Sequence, residues 1–217
     1  MRAIDFLKEG KSHPVICVDV QPEYESSNFP DIIKFVNNQT GPVLFFVNAE
    51  DQGLSGDSID DIKLFWNNTL CPEEERYVYN DEIDDYEENE NCPTIDWQRF
   101  TIVDKGFGYF REWMDRSVPE KKIIQTIRLM YQQKVSDSRL LFGGEETEEY
   151  KEYMYSLLRD DMHRVGPISI YWTSVAQLKR FNGAYLVGGG RTECLKEITL
   201  LMNAFNIKYK IIDNLVF

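Results

Sequence analysis

A cysteine follows a glycine-rich turn within residues 184–194, and this arrangement favours nucleophilic chemistry. The apolar run 184–187 stops at three glycines, and apolar residues recur at helical spacing from Leu195 onward. The pattern predicts a helix over 192–205 with Cys194 near its N-terminus, where the helix dipole favours the reactive thiolate. Cys194 is therefore a candidate nucleophile. The alternative is a structural thiol in a tight βα turn.

Five short apolar runs predict the strands that must position this cysteine, at residues 14–20, 42–47, 99–103, 184–187 and 207–212. Their near-continuous apolar character is typical of strands covered on both faces, as in a parallel sheet. Helical patterns lie between most of them, at 31–37, 174–181 and 192–205. The alternation predicts a doubly wound, Rossmann-like α/β fold with a mainly parallel sheet flanked by helices.

Charged and nucleophilic residues follow three of these predicted strands. Asp19, Lys105 and Cys194 each stand at or just beyond a strand's carboxyl end. Active sites of doubly wound folds lie beyond those ends. The sequence therefore predicts that the three side chains meet at one edge of the sheet.

The length of 217 residues and the 42% hydrophobic content predict a single domain, residues 1–217, with two insertions. Residues 49–98 form an acidic, turn-rich connection, and residues 117–166 form an inserted helical pair. Ser117 and Glu120 have capping-box spacing and predict a helix that reaches about Lys134. A second helix is predicted over 145–163, and its apolar stripe needs a partner in this domain or in a second subunit. The stripe consists of Tyr150, Met154, Leu157 and Leu158.

Most of the net charge of −13 comes from one segment. Residues 73–90 hold ten carboxylates and one arginine, a net of −9, which leaves −4 for the rest of the chain. Such a run is typical of a solvated or mobile loop, and the alternative is a surface that mimics nucleic acid. We expect no binding of DNA or RNA, because phosphates need cationic partners.

The cysteine pattern and the hydropathy indicate the expected compartment. The four cysteines form no CxxC pair, and with only two histidines no metal site is expected. No apolar run approaches the roughly 20 residues that span a membrane. Residues 1–10 lack the apolar core of a signal peptide and predict a short amphipathic helix. We expect a cytoplasmic protein in a reducing environment, with no membrane association.

Three segments carry a resemblance to a known family: residues 15–24, residues 103–110 and residues 186–195. The first contains an apolar strand, Asp19, one further residue and Gln21. The second contains Lys105 with an aromatic residue five positions later, and the third is the glycine turn that ends at Cys194 and Leu195. In order and placement they resemble the isochorismatase-like cysteine hydrolases, the superfamily of nicotinamidases and N-carbamoyl amidases. The chain would be a divergent member, since residues 48–53 lack the histidine of the nicotinamidase metal cluster.

The resemblance implies a catalytic triad of Asp19, Lys105 and Cys194. Asp19 would remove the thiol proton, and the Lys105 ammonium would lower the thiol pKa from about 8.5. The thiolate would attack a small amide or related C–N bond, and the turn at Gly190, Glu193 and Cys194 would supply backbone N–H groups to the oxyanion. A thioester would form and be hydrolysed. No cofactor is implied.

The substrate pocket is expected to draw on residues near these motifs. Gln21 belongs to the first motif, and an aromatic wall is predicted from Phe107, Phe110 and Trp172, although aromatic residues are more often plain core. Arg191 and Arg111 are candidates to hold a carboxylate of the small-molecule substrate, and the alternative is that they are ordinary surface arginines.

Two other functions stay open. The first is an inactive scaffold of this family that acts as a binding protein or within a homo-oligomer, which the insertions favour. The second is phosphoryl chemistry at a magnesium site, because carboxylates at strand ends suit Mg²⁺. Its ligands would be Asp19, Glu50, Asp51 and Asp57.

Overall fold

A computed structural model describes residues 13–24, 26–48, 57–105, 110–144, 147–157 and 166–217. The helix predicted at 1–10 lies outside these ranges. The strands are β1 (Val15–Val18), β2 (Val43–Val47), β3 (Tyr77–Asn80), β4 (Asp85–Glu88), β5 (Phe100–Asp104), β6 (Ala184–Gly188) and β7 (Tyr209–Ile211). The helices are α1 (Phe29–Asn37), α2 (Ile59–Leu70), α3 (Arg111–Asp115), α4 (Glu120–Gln133), α5 (Glu148–Leu157), α6 (Trp172–Arg180) and α7 (Cys194–Ala204).

The central sheet has five parallel strands in the order β5-β2-β1-β6-β7. The chain proceeds from β1 through β2 to β5 and then crosses to β6 on the other side of β1. The strand order therefore reverses between β1 and β6, and the crevice beyond their carboxyl ends is where such folds bind ligands. Asp19 follows β1 and the glycine turn follows β6, so both flank this switch point.

Helices cover both faces of the sheet, which confirms the predicted doubly wound fold. Alternate residues of each strand face opposite sides. Val15 and Cys17 belong to one buried cluster with residues of α1 and α2. Ile16 and Val18 belong to the other, with residues of α3, α4, α6 and α7. This two-sided burial explains why the strands read as near-continuous apolar runs.

The five predicted strands and the helices beside them are confirmed, with one difference at a helix start. The helix predicted from Ser117 is α4, but its N-terminal flanking residue is Pro119, which makes no side-chain cap. Ser117 has a φ of 58°, in the left-handed region, and lies before the helix. The capping-box prediction at Ser117 is therefore wrong, because that residue is used in the turn between α3 and α4.

The acidic segment 73–90 forms a hairpin where the sequence analysis predicted a solvated loop. Strands β3 and β4 pair antiparallel, with Tyr79 opposite Tyr86 and their rings 5.4 Å apart. A disulfide between Cys71 and Cys92 closes the base of this segment. Disulfides are rare in reducing compartments. The cytoplasmic location stays a prediction.

The apolar stripe of α5 finds its partner within the domain. Tyr150 is buried, and Met154 packs against the core cluster on the α7 side of the sheet. The ring of Phe142 contacts the rings of Tyr150 and Tyr153. Tyr150 and Met154 thus pack within the domain, whereas Leu158 and the side chain of Leu157 lie outside the described residues. The homo-oligomer stays a prediction. No helix within the described ranges is long and apolar enough to cross a lipid bilayer.

Candidate active site

A buried ion pair joins two of the predicted catalytic residues. Asp19 and Lys105 are only 1% and 5% exposed, and the Lys105 Nζ contacts the Asp19 Oδ2 directly. Lys105 follows β5, two strands from β1, and its backbone N–H donates to the Val47 carbonyl at 2.9 Å. This bond holds the lysine beside the end of β2, from which its side chain reaches Asp19. The end of β5 is therefore tied to the switch point.

The turn after β6 brings the cysteine helix close to β1. Gly188 has a φ of 74°, and a Cβ there would lie 2.3 Å from the Val18 carbonyl oxygen. Gly189 has a φ of 67°, and a Cβ there would lie 3.2 Å from the Leu195 nitrogen. Both positions therefore require glycine, because other residues avoid a positive φ and would collide with the neighbouring backbone. The close approach places the start of α7 against the end of β1.

Cys194 is the first residue of α7, as the sequence predicted, and its thiol is half-buried. The pKa of the thiol is raised to about 11, first by burial and then by the negative charge of Asp19, and these causes outweigh the lowering by Lys105. Lys105 lowers this pKa, as predicted, but by less than burial and Asp19 raise it, so the net shift is upward. At neutral pH the group is a thiol, and its proton must leave before attack.

A proton acceptor lies beside this thiol. Hydrogen bonding to Asp19 is among the causes that raise the thiol pKa. The Asp19 Oδ1 is buried and accepts a hydrogen bond from none of the described residues, whereas the Oδ2 contacts Lys105. A buried carboxylate oxygen without a donor is unusual. Asp19 is therefore placed to receive the proton of Cys194.

Among the turn residues predicted to supply N–H groups to the oxyanion, Cys194 has an available amide and Glu193 does not. The Glu193 N–H donates to the Gly190 carbonyl at 3.0 Å, so it is already used in the turn. Across the described ranges no backbone carbonyl accepts from the Cys194 N–H, which lies at the first position of α7, where helix N–H groups lack partners. The Cys194 amide can therefore donate to a developing oxyanion, and the Glu193 amide cannot without breaking the turn.

The Glu193 side chain is held by a cation. Its Oε1 lies 2.8 Å from Arg111 Nη2 at the start of α3. Glu193 is not among the causes of the Cys194 pKa shift. Arg111, predicted as a possible ligand for a substrate carboxylate, is thus already paired with a carboxylate of the protein.

A cavity of about 380 Å³ opens onto the thiol. Its lining includes Asp19, Tyr24, Arg191, Thr192, Cys194 and Phe217. Arg191 lies at the exposed rim, where its guanidinium is 2.9 Å from Asp213 Oδ1, so it is paired rather than free. The cavity is large enough for a small molecule and combines the nucleophile, the carboxylate and two aromatic rings.

Three residues predicted for the substrate pocket make structural contacts elsewhere. Gln21 is fully buried, and its amide binds the backbone of Asn48 at 2.8 Å and Asp57 at 3.1 Å, which joins the ends of β1 and β2. The Phe110 ring is part of the core cluster. Trp172 contacts Phe205, which follows the far end of α7, about 16 Å from Cys194 at 1.5 Å per residue. Phe107 lies outside the described residues.

Of the four residues proposed for a magnesium site, the structure describes Asp19 and Asp57, and each of them has other partners. Asp19 contacts an ammonium, which would compete with a cation. Asp57 accepts from Gln21 and from the Glu23 backbone N–H at 2.9 Å. Glu50 and Asp51 lie outside the described ranges, within which no group of three or more acidic, histidine or cysteine residues could hold a metal. The geometry therefore gives the magnesium alternative no support.

Two residues near the triad were missed from the sequence. Tyr24 lines the cavity, and its pKa is raised to about 12 by burial and by the charge of Asp19, so its hydroxyl stays protonated and can donate. Glu197, only 3% exposed, accepts a hydrogen bond from the Phe110 N–H at 2.9 Å. Glu197 lies among the buried positions of α7, which are apolar except for Glu197 and Thr199.

The chain matches no protein-family model, no characterised protein and no solved structure. The resemblance to the isochorismatase-like hydrolases therefore rests on the three motifs alone.

Proposed function

We propose that the chain is a cysteine-dependent hydrolase that cleaves a small amide or a related C–N bond through a thioester. The observation that carries the proposal is the convergence of three strand ends on one cavity. Asp19 and the half-buried thiol of Cys194 line that cavity, and the buried Lys105 contacts Asp19 beside it. Burying an ion pair costs free energy, and apolar residues packed in the same place would avoid that cost. A buried pair of this kind therefore points to a functional role.

The first step transfers the thiol proton to Asp19 as the sulfur attacks the carbonyl carbon. A C–S bond forms, and the carbonyl π electrons move to the oxygen. The free N–H of Cys194 donates to that oxyanion, a contact typically worth about 3 to 4 kcal/mol. A thiol with a pKa of about 11 requires this transfer, because little thiolate exists before substrate binds.

The second step breaks the C–N bond. The protonated Asp19 gives its proton to the leaving nitrogen, and the amine or ammonia departs from the thioester. Asp19, again a carboxylate, then takes a proton from water as the water oxygen attacks the thioester carbon. The C–S bond breaks, Asp19 returns that proton to the leaving sulfur, and the carboxylic acid departs.

Lys105 acts on Asp19 throughout. Burial alone would favour a neutral amine, but the interactions with Asp19 first and then with Cys194 raise the pKa of Lys105 above its ordinary value. The lysine therefore stays an ammonium and stabilises the Asp19 carboxylate. It also favours the thiolate that forms during attack, since a cation lowers the thiol pKa.

A set of small amides, incubated with the wild-type chain, tests the proposal by release of ammonia or amine. We expect Cys194→Ala to abolish turnover, and Cys17→Ala to retain it, because Cys17 is the other free cysteine and lies in the core behind the sheet. Intact-mass measurement after rapid quenching should show an acyl adduct on Cys194. Undiminished turnover in Cys194→Ala would refute the proposal.

The second candidate is a binding protein, and the acidic hairpin is the observation that favours it. Tyr77, Tyr79 and Tyr86 lie on its surface, each about half exposed or more, among ten carboxylates. Aromatic rings and carboxylates together suit a cationic partner. If this is the main function, binding of a lysine- and arginine-rich peptide should be lost at high salt and in a Tyr79→Ser/Tyr86→Ser variant, and unchanged in Cys194→Ala.

A further inference from the structure

Phe217 is bound by its backbone to the glycine turn after β6. Its N–H donates to the Gly189 carbonyl at 3.3 Å, and its carbonyl accepts the Arg191 N–H at 3.1 Å. Gly190 lies between these two partners, and its own carbonyl accepts the Leu195 N–H of α7 at 3.2 Å. Phe217 and the start of α7 are therefore fixed to the same turn.

Side-chain contacts hold residues 213–217 in the same place. The Arg191 guanidinium lies 2.9 Å from the Asp213 Oδ1 and 3.3 Å from the Asp213 carbonyl oxygen. The Phe217 ring contacts the ring of Phe29 in α1, with their centroids 5.2 Å apart. The ring of Phe217 therefore has a defined position beside the turn.

The side chain of Phe217 is available to a bound molecule. Phe217 lines the same cavity as Asp19 and Cys194. Its N–H and its carbonyl are both used by the turn, so the side chain is the group that remains to contact a ligand. The preceding Leu215 and Val216 are buried, whereas Phe217 is half-buried. A ring that the core covers only in part keeps apolar surface that a ligand can cover.

The charged side chains that line this cavity already have partners of opposite charge. These pairs are Asp19–Lys105, Arg191–Asp213 and Glu193–Arg111. A charged group on a ligand would compete with one of these pairs, whereas an uncharged apolar group would leave all three intact. The lining therefore favours an uncharged ligand.

We propose that Phe217 is a specificity-determining residue, and that an apolar group of an uncharged amide packs against its ring. This inference rests on the proposed function, because the amide carbonyl must lie at the Cys194 sulfur while the apolar group lies on the ring. Burial of apolar surface favours such binding, and contact between two aromatic rings adds to it. The glycine turn holds both the ring and the start of α7, so it fixes the spacing between the two groups.

Two alkylating reagents test this contact without a substrate. Iodoacetamide and N-benzyl iodoacetamide bring the same reactive carbon to Cys194, and only the second carries an apolar ring. The benzyl preference is the ratio of their rates on Cys194, mapped by peptide at one pH and divided by the same ratio for N-acetylcysteine. Both rates depend on the same thiolate fraction, so the pH profile of Cys194 alkylation does not affect this preference.

We expect a benzyl preference of at least about fivefold in the wild type, and of less than about twofold in Phe217→Ala. A carboxylate on the benzyl ring should reduce the wild-type preference. Phe65→Ala is the matched control, because the Phe65 ring also contacts Phe29, at 5.8 Å, but Phe65 is not among the described residues that line the Cys194 cavity. This control should keep the wild-type preference, and unfolding curves should show each variant folded in the assay.

Three outcomes would overturn the proposal: an undiminished preference in Phe217→Ala, an equal loss in Phe65→Ala, or a wild type that prefers the reagent with the carboxylate. If Phe217→Ala fails to fold, Phe217→Leu decides, and its preference must fall at least about twofold because the ring is gone. A preference that depends on Phe217 while no amide is cleaved would uphold the ligand contact and refute the hydrolase. Amide turnover by a wild type without the preference would do the reverse.

Discussion

The switch point of the sheet buries its charged side chains, whereas the acidic hairpin exposes its charged side chains to solvent. At the switch point Asp19, Lys105 and Glu197 are each at most 5% exposed, and each has a partner. In the hairpin β3–β4 nearly every residue is exposed, and its carboxylates face water. A charge in a low-dielectric interior interacts strongly with its neighbours, whereas an exposed charge is screened. Removing one charge should therefore matter greatly in the first region and little in the second.

The largest effect is expected from breaking the buried pair. Lys105→Met leaves Asp19 buried without its cation, and we expect the free energy of unfolding to fall by about 4 kcal/mol. Adding Asp19→Asn should restore much of that loss, since no uncompensated charge remains. Denaturant unfolding of the single and double variants measures both. Exposed ion pairs contribute less than about 1 kcal/mol. A loss in that range for the single variant would contradict the claimed difference between the buried pair and the exposed hairpin charges.

The glycine turn comes next. Gly188→Ala combines a positive φ with a Cβ that would lie 2.3 Å from a backbone oxygen. We expect a loss of about 3 kcal/mol from left-handed strain and overpacking together. Gly183→Ala is the control, because Gly183 has a φ of 86° but open space around its Cβ position. It should lose only about 1 to 2 kcal/mol in the same unfolding experiment. Equal losses would show that the close approach to β1 is unimportant.

Removing the disulfide tests whether the hairpin is independent of the active site. Cys71→Ser opens the bond that closes the acidic segment, and we expect a loss of about 2 kcal/mol with preferential proteolysis within residues 73–90. The alkylation profile of Cys194 should not change, because no hairpin residue lines its cavity. A changed profile would mean that the two regions are coupled.

The smallest effect is expected from a single hairpin charge. Glu88 is exposed, and Glu88→Gln should change the free energy of unfolding by less than about 0.5 kcal/mol. Thermal unfolding at low and high salt checks this. A loss comparable to that of Lys105→Met would contradict the assignment of this charge to a screened surface.

The same contrast explains what the sequence could predict. Parallel strands buried on both faces leave apolar runs, so all five were found, and Asp19, Lys105 and Cys194 were placed at their ends. The hairpin was missed because its side chains are exposed on both faces, which leaves no burial pattern. The Cys71–Cys92 pair depends on the fold of the segment between them, which spacing does not reveal.

Individual pocket residues were harder, because the fold class does not say which way a side chain points. Gln21 follows Asp19 by two residues but turns toward Asn48 and Asp57. Trp172 contacts Phe205 at the far end of α7, and its place in the sequence does not reveal this contact. The raised pKa of Cys194 was missed since it depends on burial and on the approach of Asp19, which only the assembled site determines.

The most direct test of the central claim is the pH dependence of Cys194 alkylation in the wild type and in Asp19→Asn. A raised pKa means that the fold favours the protonated thiol, so reactivity should be low below about pH 8.5 and rise toward pH 11. Removing the Asp19 charge should shift this profile to lower pH. Those two results would establish a thiol assembled with Asp19. An ordinary thiol that titrates near 8.5 and is indifferent to Asp19→Asn would contradict the site.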